Sequence, residues 1–301
     1  MKLIDMLNNI DTLLLSNSTN ESHYKVALEE VSKLLENIQE QGDEDLSNFL
    51  WKLKTILIIK DRYIKTFFLL KDKKHYEAWV LLERIEIDIS FLEKNVDEDF
   101  IKKYKLDFYK EIVESWQSLF PYKIFFSIGA TIKQYTCSIC GHVIRPRNKC
   151  IHKKGKLYNG KLCVHVADGG CELKEISMVK NPVQKSCIPM LDYDYSAVDF
   201  ISERLQSPFD YWKPFKTKKL IDRSEFNTVD ENDMCPCKES KKIFKECCFN
   251  KEKIEFPHIH IHFSKSPPSN LATSLIKIGS EIPCRVSSDL HEWHNDGGAV
   301  S

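Results

Sequence analysis

The chain contains 301 residues, and its 44 basic and 44 acidic side chains give a formal net charge of zero. This length allows two or three domains and a sizeable core. A hydrophobic share of 42% and a charged share of 29% are typical of an ordinary soluble protein. No apolar run is long enough to cross a bilayer, and Asp5 interrupts the short apolar stretch at the N-terminus. The sequence therefore argues against a membrane protein, and we expect a cytoplasmic one without an export signal.

The first 120 residues are predicted to fold as an antiparallel helical bundle. Apolar residues recur there at helical spacing, with charged residues on the opposite face. The four predicted helices are Glu21–Gln41, Asp43–Leu57, Ala78–Leu92 and Tyr104–Leu119. Asn20 is the expected N-cap of the first helix and Gly42 its C-terminal stop, while Pro121 ends the fourth. The tryptophans assigned to the core are Trp51, Trp79 and Trp116.

Residues 121–190 are predicted to form a small β-rich domain with a zinc-knuckle insertion, which makes the whole chain an α+β protein. The four expected strands are Tyr122–Ser127, Ile132–Cys137, Leu162–Ala167 and Leu173–Val179. Gly129 and the pair Gly169-Gly170 are expected to interrupt them. The remaining residues, 191–301, are predicted to form a mixed region that contains a second zinc module at about residues 233–250.

Eleven cysteines occur in the chain, and none precedes residue 137. In a protein without an export signal, this distribution favours metal ligation over disulfide bonds. Two groups of residues have the spacing of a structural zinc site, which needs four protein ligands. We therefore expect the chain to bind two Zn²⁺ ions.

The first group begins with a zinc knuckle, a Cys-x₂-Cys turn followed by glycine, at Cys137, Cys140 and Gly141. Cys150 and His152 follow at a distance that allows the chain to fold back and supply two more ligands. The predicted ligand set is therefore Cys137, Cys140, Cys150 and His152. Three later residues remain alternatives for either of the last two ligands: Cys163, His165 and Cys171.

The second group consists of four cysteines within fourteen positions: Cys235, Cys237, Cys247 and Cys248. A Cys-x-Cys pair offers two sulfurs to one ion from a single tight turn. The nine residues that follow are long enough to form a helical turn or two and to bring the second pair back. These four thiols are the predicted ligands of the second zinc ion.

The segment Met234–Cys248 resembles the SEC-C motif, the small zinc module at the C-terminus of the SecA translocase and of many other bacterial proteins. The residues that match the family pattern are Cys235, Pro236, Cys237, Lys241, Lys242, Lys245, Cys247 and Cys248. Lys238-Glu239-Ser240 replaces the family's Gly-Ser-Gly turn, and the spacer between the cysteine pairs is one residue longer. The resemblance is confined to this segment. It implies zinc binding and docking to a protein partner such as a chaperone or a ribosome.

A nucleic-acid-binding protein is the first alternative, because the segment 133–161 carries eight basic residues and no acidic one. These residues are Lys133, Arg145, Arg147, Lys149, Lys153, Lys154, Lys156 and Lys161. A basic segment attracts phosphates, and Tyr135 and Tyr158 could stack on bases. The simpler interpretation is that the basic residues offset thiolate charge and keep the module soluble.

A hydrolase is the second alternative. The segments Phe126–Gly129 and Leu173–Pro182 resemble the Ser-Ile-Gly and Leu-x-Glu-Val-Ser segments of tailed-phage prohead proteases. That resemblance implies Ser127 as the nucleophile and Glu175 as the third member of a triad. The histidine that the family places upstream has no counterpart on a predicted strand, and a serine without a base is a poor nucleophile.

A metal-dependent hydrolase is conceivable from the alternating segment His258-Ile259-His260-Ile261-His262, because three imidazoles would share one face of a strand. A strand with an aliphatic buried face and a polar outer face is the simpler interpretation. We assign no catalytic residue. The sequence favours a zinc-binding, non-catalytic protein that docks a protein partner.

Overall fold

The structure is a computed structural model that describes residues 3–237 and 242–264. Two compact units divide the chain, Met1–Asp210 and Tyr211–Ser301. Both combine helix and strand, so the predicted α+β class is confirmed. The division of the chain at residues 120 and 190 stays a prediction, and the residues from 265 onward lie outside the described part.

Helices dominate the first 120 residues. The helices described in the first unit are α1 (Leu3–Leu15), α2 (Glu21–Gln41), α3 (Glu44–Lys71), α4 (His75–Leu92), α5 (Glu98–Lys103), α6 (Leu106–Leu119) and α7 (Ser196–Arg204). A 3₁₀ turn, Glu93–Asn95, follows α4. No helix in the described ranges has both the length and the apolar character needed to cross a bilayer.

Helix α3 lies at the centre of this arrangement and packs against α2, α4, α6 and α7. Its buried residues are therefore not confined to one stripe, as they are on a surface helix. The prediction ended this helix near Leu57, whereas the helix continues to Lys71. The predicted stripe was too short because it followed only one face.

The ends of α2 are set by local side-chain chemistry, as predicted. Asn20 Oδ1 accepts a hydrogen bond from the backbone N–H of Ser22 at 3.1 Å, and Gly42 is left-handed with a φ of 76°. Helix α3 starts in the same way, because the Asp43 carboxylate accepts from the backbone N–H of Leu46. Both predicted ends of α2 are confirmed.

The predicted fourth helix is interrupted. Lys105 has a positive φ of 54°, so α5 ends before it and α6 begins at Leu106. Tyr104 therefore lies outside α6. It is buried, and its hydroxyl donates a hydrogen bond to Asp11 Oδ1 at 2.6 Å.

Two of the three tryptophans assigned to the core are buried. Trp79 and Trp116 are inside the first unit, whereas Trp51 is half-exposed and packs on the edge of a small cluster that includes Leu35 and Leu50. The assignment to the core is confirmed for Trp79 and Trp116, and Trp51 lies at the edge of the core.

Most of the residues expected to form four strands lie in two long strands that pair as a ribbon. Strand β1 (Phe125–Cys137) pairs antiparallel with β5 (His165–Val179). The predicted interruptions at Gly129 and at Gly169-Gly170 are wrong, because the strands continue through them with shifts of register. The short strands are β2 (Val143–Ile144), β3 (Leu157–Tyr158) and β4 (Lys161–Leu162). Strand β2 pairs with the other edge of β1.

Apolar cross-strand pairs stabilise one face of this ribbon, although they are exposed. Phe126 is opposite Met178, and Ile128 is opposite Ile176. A two-stranded ribbon is only marginally stable by itself in water. The ends of the ribbon therefore need support from other parts of the chain.

A hairpin made of β3 and β4 attaches the insertion of the ribbon to the helices. Gln39 Nε2 donates to the backbone oxygen of Asn159, and Asn159 Nδ2 donates to the backbone oxygen of Gln39, each at 3.0 Å. The backbone N–H of Gly160 donates to Asn48 Oδ1 at 2.8 Å. These bonds fix the hairpin turn on α2 and α3.

Asn95 provides a second attachment, directly after α4. Its Nδ2 donates to the backbone oxygen of Gly155 at 2.8 Å, and its Oδ1 accepts from the backbone N–H of Leu157 at 3.2 Å. The insertion is thus held on the helices at two places.

The second unit is built on another long ribbon. Strand β6 (Tyr211–Asp222) pairs antiparallel with β7 (Lys253–Ser264) along its whole length. The predicted strand at His258–His262 is confirmed as part of β7. The insertion between the two strands contains a 3₁₀ turn, Arg223–Phe226, and the short helix α8 (Phe244–Cys247).

Replacing Gly160 by alanine should weaken the attachment of the hairpin. Gly160 has a φ of 68°, and a Cβ atom there would lie 2.7 Å from Leu35 Cδ1 and 3.0 Å from the backbone oxygen of Ser47. The alanine would have to adopt a left-handed backbone conformation, and its Cβ would clash with these neighbours. Because the two costs add, we expect Gly160→Ala to lower the free energy of unfolding by about 2–4 kcal/mol. Denaturant titration measures this loss.

The matched control is Gly42→Ala. Gly42 has a similar φ of 76°, but nothing lies within 4 Å of its virtual Cβ. The free energy of unfolding of this variant should fall by only about 1–2 kcal/mol, the cost of the left-handed backbone conformation alone. Equal losses in the two variants would show that the hairpin turn does not rest against α2.

Candidate metal centres

The four residues predicted for the first zinc ion converge in the structure. The ligand atoms of Cys137, Cys140, Cys150 and His152 lie within 4.8 Å of one another, and we call this group the first metal cluster. Cys137 is the last residue of β1 and is buried, whereas Cys140 is exposed. The cluster lies in the insertion that the hairpin attaches to the helices, and it could hold a metal ion.

The knuckle turn positions the first thiol of this cluster. The N–H of Gly141 donates to the oxygen of Cys137, and the N–H of Cys137 donates to the oxygen of His142, each at 2.9 Å. Burial acts to raise the pKa of Cys137, but hydrogen bonds from the backbone N–H groups of Cys140 and Ile139 outweigh it and lower this pKa to about 6. The turn therefore favours a thiolate at Cys137.

The three alternative ligands lie at different places. Cys163 is fully buried, and its Sγ is 3.8 Å from Sγ of Cys137. Burial and the neighbouring Cys137 raise the pKa of Cys163 to about 11. His165 is opposite Cys137 in the β1–β5 register, and Cys171 is an exposed residue opposite Ile132.

The four cysteines predicted for the second zinc ion also converge. The sulfurs of Cys235, Cys237, Cys247 and Cys248 lie within 4.8 Å of one another, and we call this group the second metal cluster. All four are free thiols: Sγ of Cys247 is 3.6 Å from Sγ of Cys248, whereas a disulfide bond is about 2.0 Å long. Burial raises the pKa of Cys235 to about 12, and it also raises that of Cys248.

Aromatic packing surrounds the second metal cluster. Phe244 is fully buried among the cysteines and Ile254, and three further phenylalanines pack around this centre: Phe226, Phe249 and Phe256. Backbone hydrogen bonds hold the insertion, with the N–H of Cys235 donating to Lys242 at 3.0 Å and the N–H of Phe244 donating to Asp233 at 2.7 Å. Sequence reasoning missed this small core, although the phenylalanines on both sides of the cysteines were a signal for it.

The sulfur positions fit one tetrahedral ion in each cluster. A Zn–S bond of about 2.3 Å places two thiolates on the same ion about 3.8 Å apart. In the second metal cluster, the Cys237–Cys247 and Cys247–Cys248 distances are 3.7 and 3.6 Å. The donors are sulfur and imidazole nitrogen, which suit zinc better than magnesium or calcium. The prediction of two groups able to hold metal ions is confirmed at this level.

The basic segment around the first metal cluster faces solvent. All eight basic residues of segment 133–161 are exposed. Tyr135 is exposed as well, whereas the hydroxyl of Tyr158 accepts a hydrogen bond from the backbone N–H of Lys153 at 2.9 Å. Near the second metal cluster, Lys242 and Lys245 are exposed, and Lys238 and Lys241 lie outside the described residues.

The two segments that resemble prohead proteases lie side by side in the ribbon. Ser127 is opposite Ser177, and Gly129 is opposite Glu175. Glu175 Oε1 accepts a hydrogen bond from Ser177 Oγ at 3.2 Å. Within the described ranges no histidine is hydrogen-bonded to Ser127, whereas a nucleophilic serine needs a base within hydrogen-bonding reach.

The alternating histidines of β7 are not brought together. Alternate residues of a strand lie about 6.6 Å apart, so the imidazoles of His258, His260 and His262 follow one another along the ribbon. Within the described part of the chain, the ligand atoms of these three histidines do not form a group like the first and second metal clusters.

Comparison of the chain with protein-family models, with known proteins and with solved structures gave no match. The resemblances to the SEC-C motif and to prohead proteases therefore stay predictions. The function has to be inferred from the geometry of the clusters and their surroundings.

Proposed function

We propose that this protein is a non-catalytic binding protein whose insertions are folded around two structural Zn²⁺ ions. The observation that carries the proposal is the convergence of two four-residue clusters made of thiol and imidazole donors. Such donors favour zinc, and four protein ligands leave no open position for a reacting water. The free state of the described cysteines supports a cytoplasmic location, where thiols stay reduced.

Metal content tests this proposal. Elemental analysis of the full-length protein should give two zinc ions per chain for the wild type, and one for Cys137→Ser and for Cys235→Ser, because each variant leaves an incomplete ligand set. Cys187→Ser is the matched control, since Cys187 is a half-buried cysteine outside both clusters, and it should keep both ions. An unchanged count in either cluster variant would remove that centre from the proposal.

The proposed docking site is the SEC-C-like segment Met234–Cys248. Met234 is 59% exposed next to the buried Cys235, and Lys242 is exposed on the same segment. Buried thiols and the Phe244 core fix the backbone beneath these side chains. A surface fixed in this way loses little conformational entropy when it binds a partner protein.

If the partner docks on these exposed side chains, a variant that removes them should lose the partner without losing metal. The double variant Met234→Ser/Lys242→Ser should keep both zinc ions but lose the partner that co-purifies with the wild type. The partner should stay bound to the wild type at high salt, because an apolar contact is weakly screened.

The matched control for docking is Leu220→Ser/Lys216→Ser, which removes one exposed apolar and one exposed basic side chain from β6. This control should retain the partner. Retention by the Met234 variant, or equal loss by the control, would contradict docking at this segment.

Nucleic-acid binding by the segment 133–161 is a second candidate function. The observation in its favour is the exposure of all eight basic residues together with Tyr135. A zinc centre with three thiolates and one histidine carries a net charge of about −1, so the segment stays strongly positive. Such a surface attracts a phosphate backbone.

Salt dependence tests this candidate. For a single-stranded DNA oligonucleotide, neutralising Arg145, Arg147 and Lys149 together by Gln should reduce the slope of log K against log salt by about 2, the value for three lost phosphate contacts. The control is Lys25→Gln/Lys102→Gln/Lys123→Gln, which removes the same charge from exposed positions elsewhere in the first unit. Equal slopes in both variants would show that the contact is not at this segment.

A further inference from the structure

Cys163 is a fully buried thiol that follows β4 and lies against the first metal cluster. We propose that Cys163 is a ligand of the first metal ion. The ligand set then becomes Cys137, Cys140, Cys150 and Cys163, and His152 lies outside it. This inference rests on the zinc binding proposed above and changes the residues that perform it. Both centres of the protein then have four thiolates.

The distance between sulfurs is the first argument. Sγ of Cys163 lies 3.8 Å from Sγ of Cys137, and about 3.8 Å is the separation of two thiolates that share a tetrahedral zinc ion. Cys137 is 2% exposed and Cys163 is 0% exposed, so both sulfurs are withdrawn from water. Two neutral thiols gain little from such an approach, since a thiol is a weak donor and a weak acceptor.

The backbone around Cys163 is the second argument. The N–H of Ser138 donates to the oxygen of Val164 at 3.0 Å, and Ser138 Oγ accepts from the N–H of Val164 at 2.9 Å. Ser138 Oγ also donates to the oxygen of Leu162 at 3.2 Å. The residue next to Cys137 therefore binds the residues on both sides of Cys163, and this fixes the two thiols in register.

His152 is the competing fourth donor. Its Nδ1 is buried and has no hydrogen-bond partner in the described structure, as expected for a nitrogen directed at an ion. Its ring, however, packs edge-on against Tyr158 with centroids 4.6 Å apart, and the residue lies in a loop. The backbone of Cys163 is anchored on both sides, so Cys163 is the better-fixed donor.

A metal ligand at Cys163 would also connect two parts of the first unit. Cys163 follows the β3–β4 hairpin, whose turn is bound to α2 and α3 through Asn159 and Gly160. An ion held by both Cys137 and Cys163 joins the end of β1 to that hairpin. Through the hairpin, the metal then links the Cys137 end of the β1–β5 ribbon to the helices of the first unit.

Cobalt spectroscopy tests the ligand set. The full-length protein with Cys235→Ser/Cys237→Ser lacks the second cluster, so the spectrum of added Co²⁺ reports the first centre alone. We expect a four-thiolate spectrum in this background. Adding Cys163→Ser should remove about a quarter of the thiolate-to-cobalt absorption, one thiolate in four, and shift the visible bands to shorter wavelength. Adding His152→Ala should leave the spectrum unchanged.

Adding Cys171→Ser is the matched control for the loss of a cysteine, and it should change nothing, because Cys171 is exposed in the ribbon. A spectrum that changes with His152→Ala and not with Cys163→Ser would overturn the assignment of Cys163. That result would leave zinc binding at this centre intact. A background protein that binds no Co²⁺ would overturn both the assignment and the proposed first zinc ion.

Discussion

The crowding of four thiol or imidazole donors into one small volume is the constraint on which both insertions depend. Buried thiols that lie this close cannot all ionise without a cation, because desolvation and mutual repulsion raise their pKa values, as at Cys163 and Cys235. The β6–β7 ribbon has two strands, and the β1–β5 ribbon is extended by the two-residue strand β2, so both are marginal by themselves. A bound cation would offset the repulsion and would supply free energy that a larger hydrophobic core would otherwise contribute.

Each unit contains one such cluster, and different contacts stabilise the insertion that carries it. In both, a long antiparallel ribbon carries its metal cluster in the insertion between its strands. The first insertion has few large apolar residues and is held by hydrogen bonds from Gln39, Asn48 and Asn95 to the hairpin. The second insertion builds its own core around Phe244. The first cluster is therefore part of a larger helical unit, and the second has local aromatic packing of its own.

The features that were predictable from sequence are those set by short-range chemistry. The ends of α2 follow from Asn20 and Gly42, and the two clusters follow from cysteine spacing. Features that depend on distant partners were missed. The strands continue through Gly129 because the cross-strand pairing shifts register there. The burial of α3 on several faces depends on the helices packed around it. Cys163 was left open as an alternative ligand, because its approach to Cys137 is set by the register of the ribbon, which one sequence does not encode locally.

The ligand geometry of the two clusters favours a binding role over a catalytic one. A metal held by four protein ligands has no position for a substrate or an activated water, which is why we propose binding and not hydrolysis at both clusters. Ser127 lies in the ribbon opposite Ser177, and Glu175 accepts a hydrogen bond from Ser177. In the proposed binding function, recognition comes from side chains outside the clusters, on segments whose backbone the clusters hold in place. Met234 and Lys242 at the second cluster, and the basic residues at the first, meet that condition because they are exposed on insertions that are otherwise fixed.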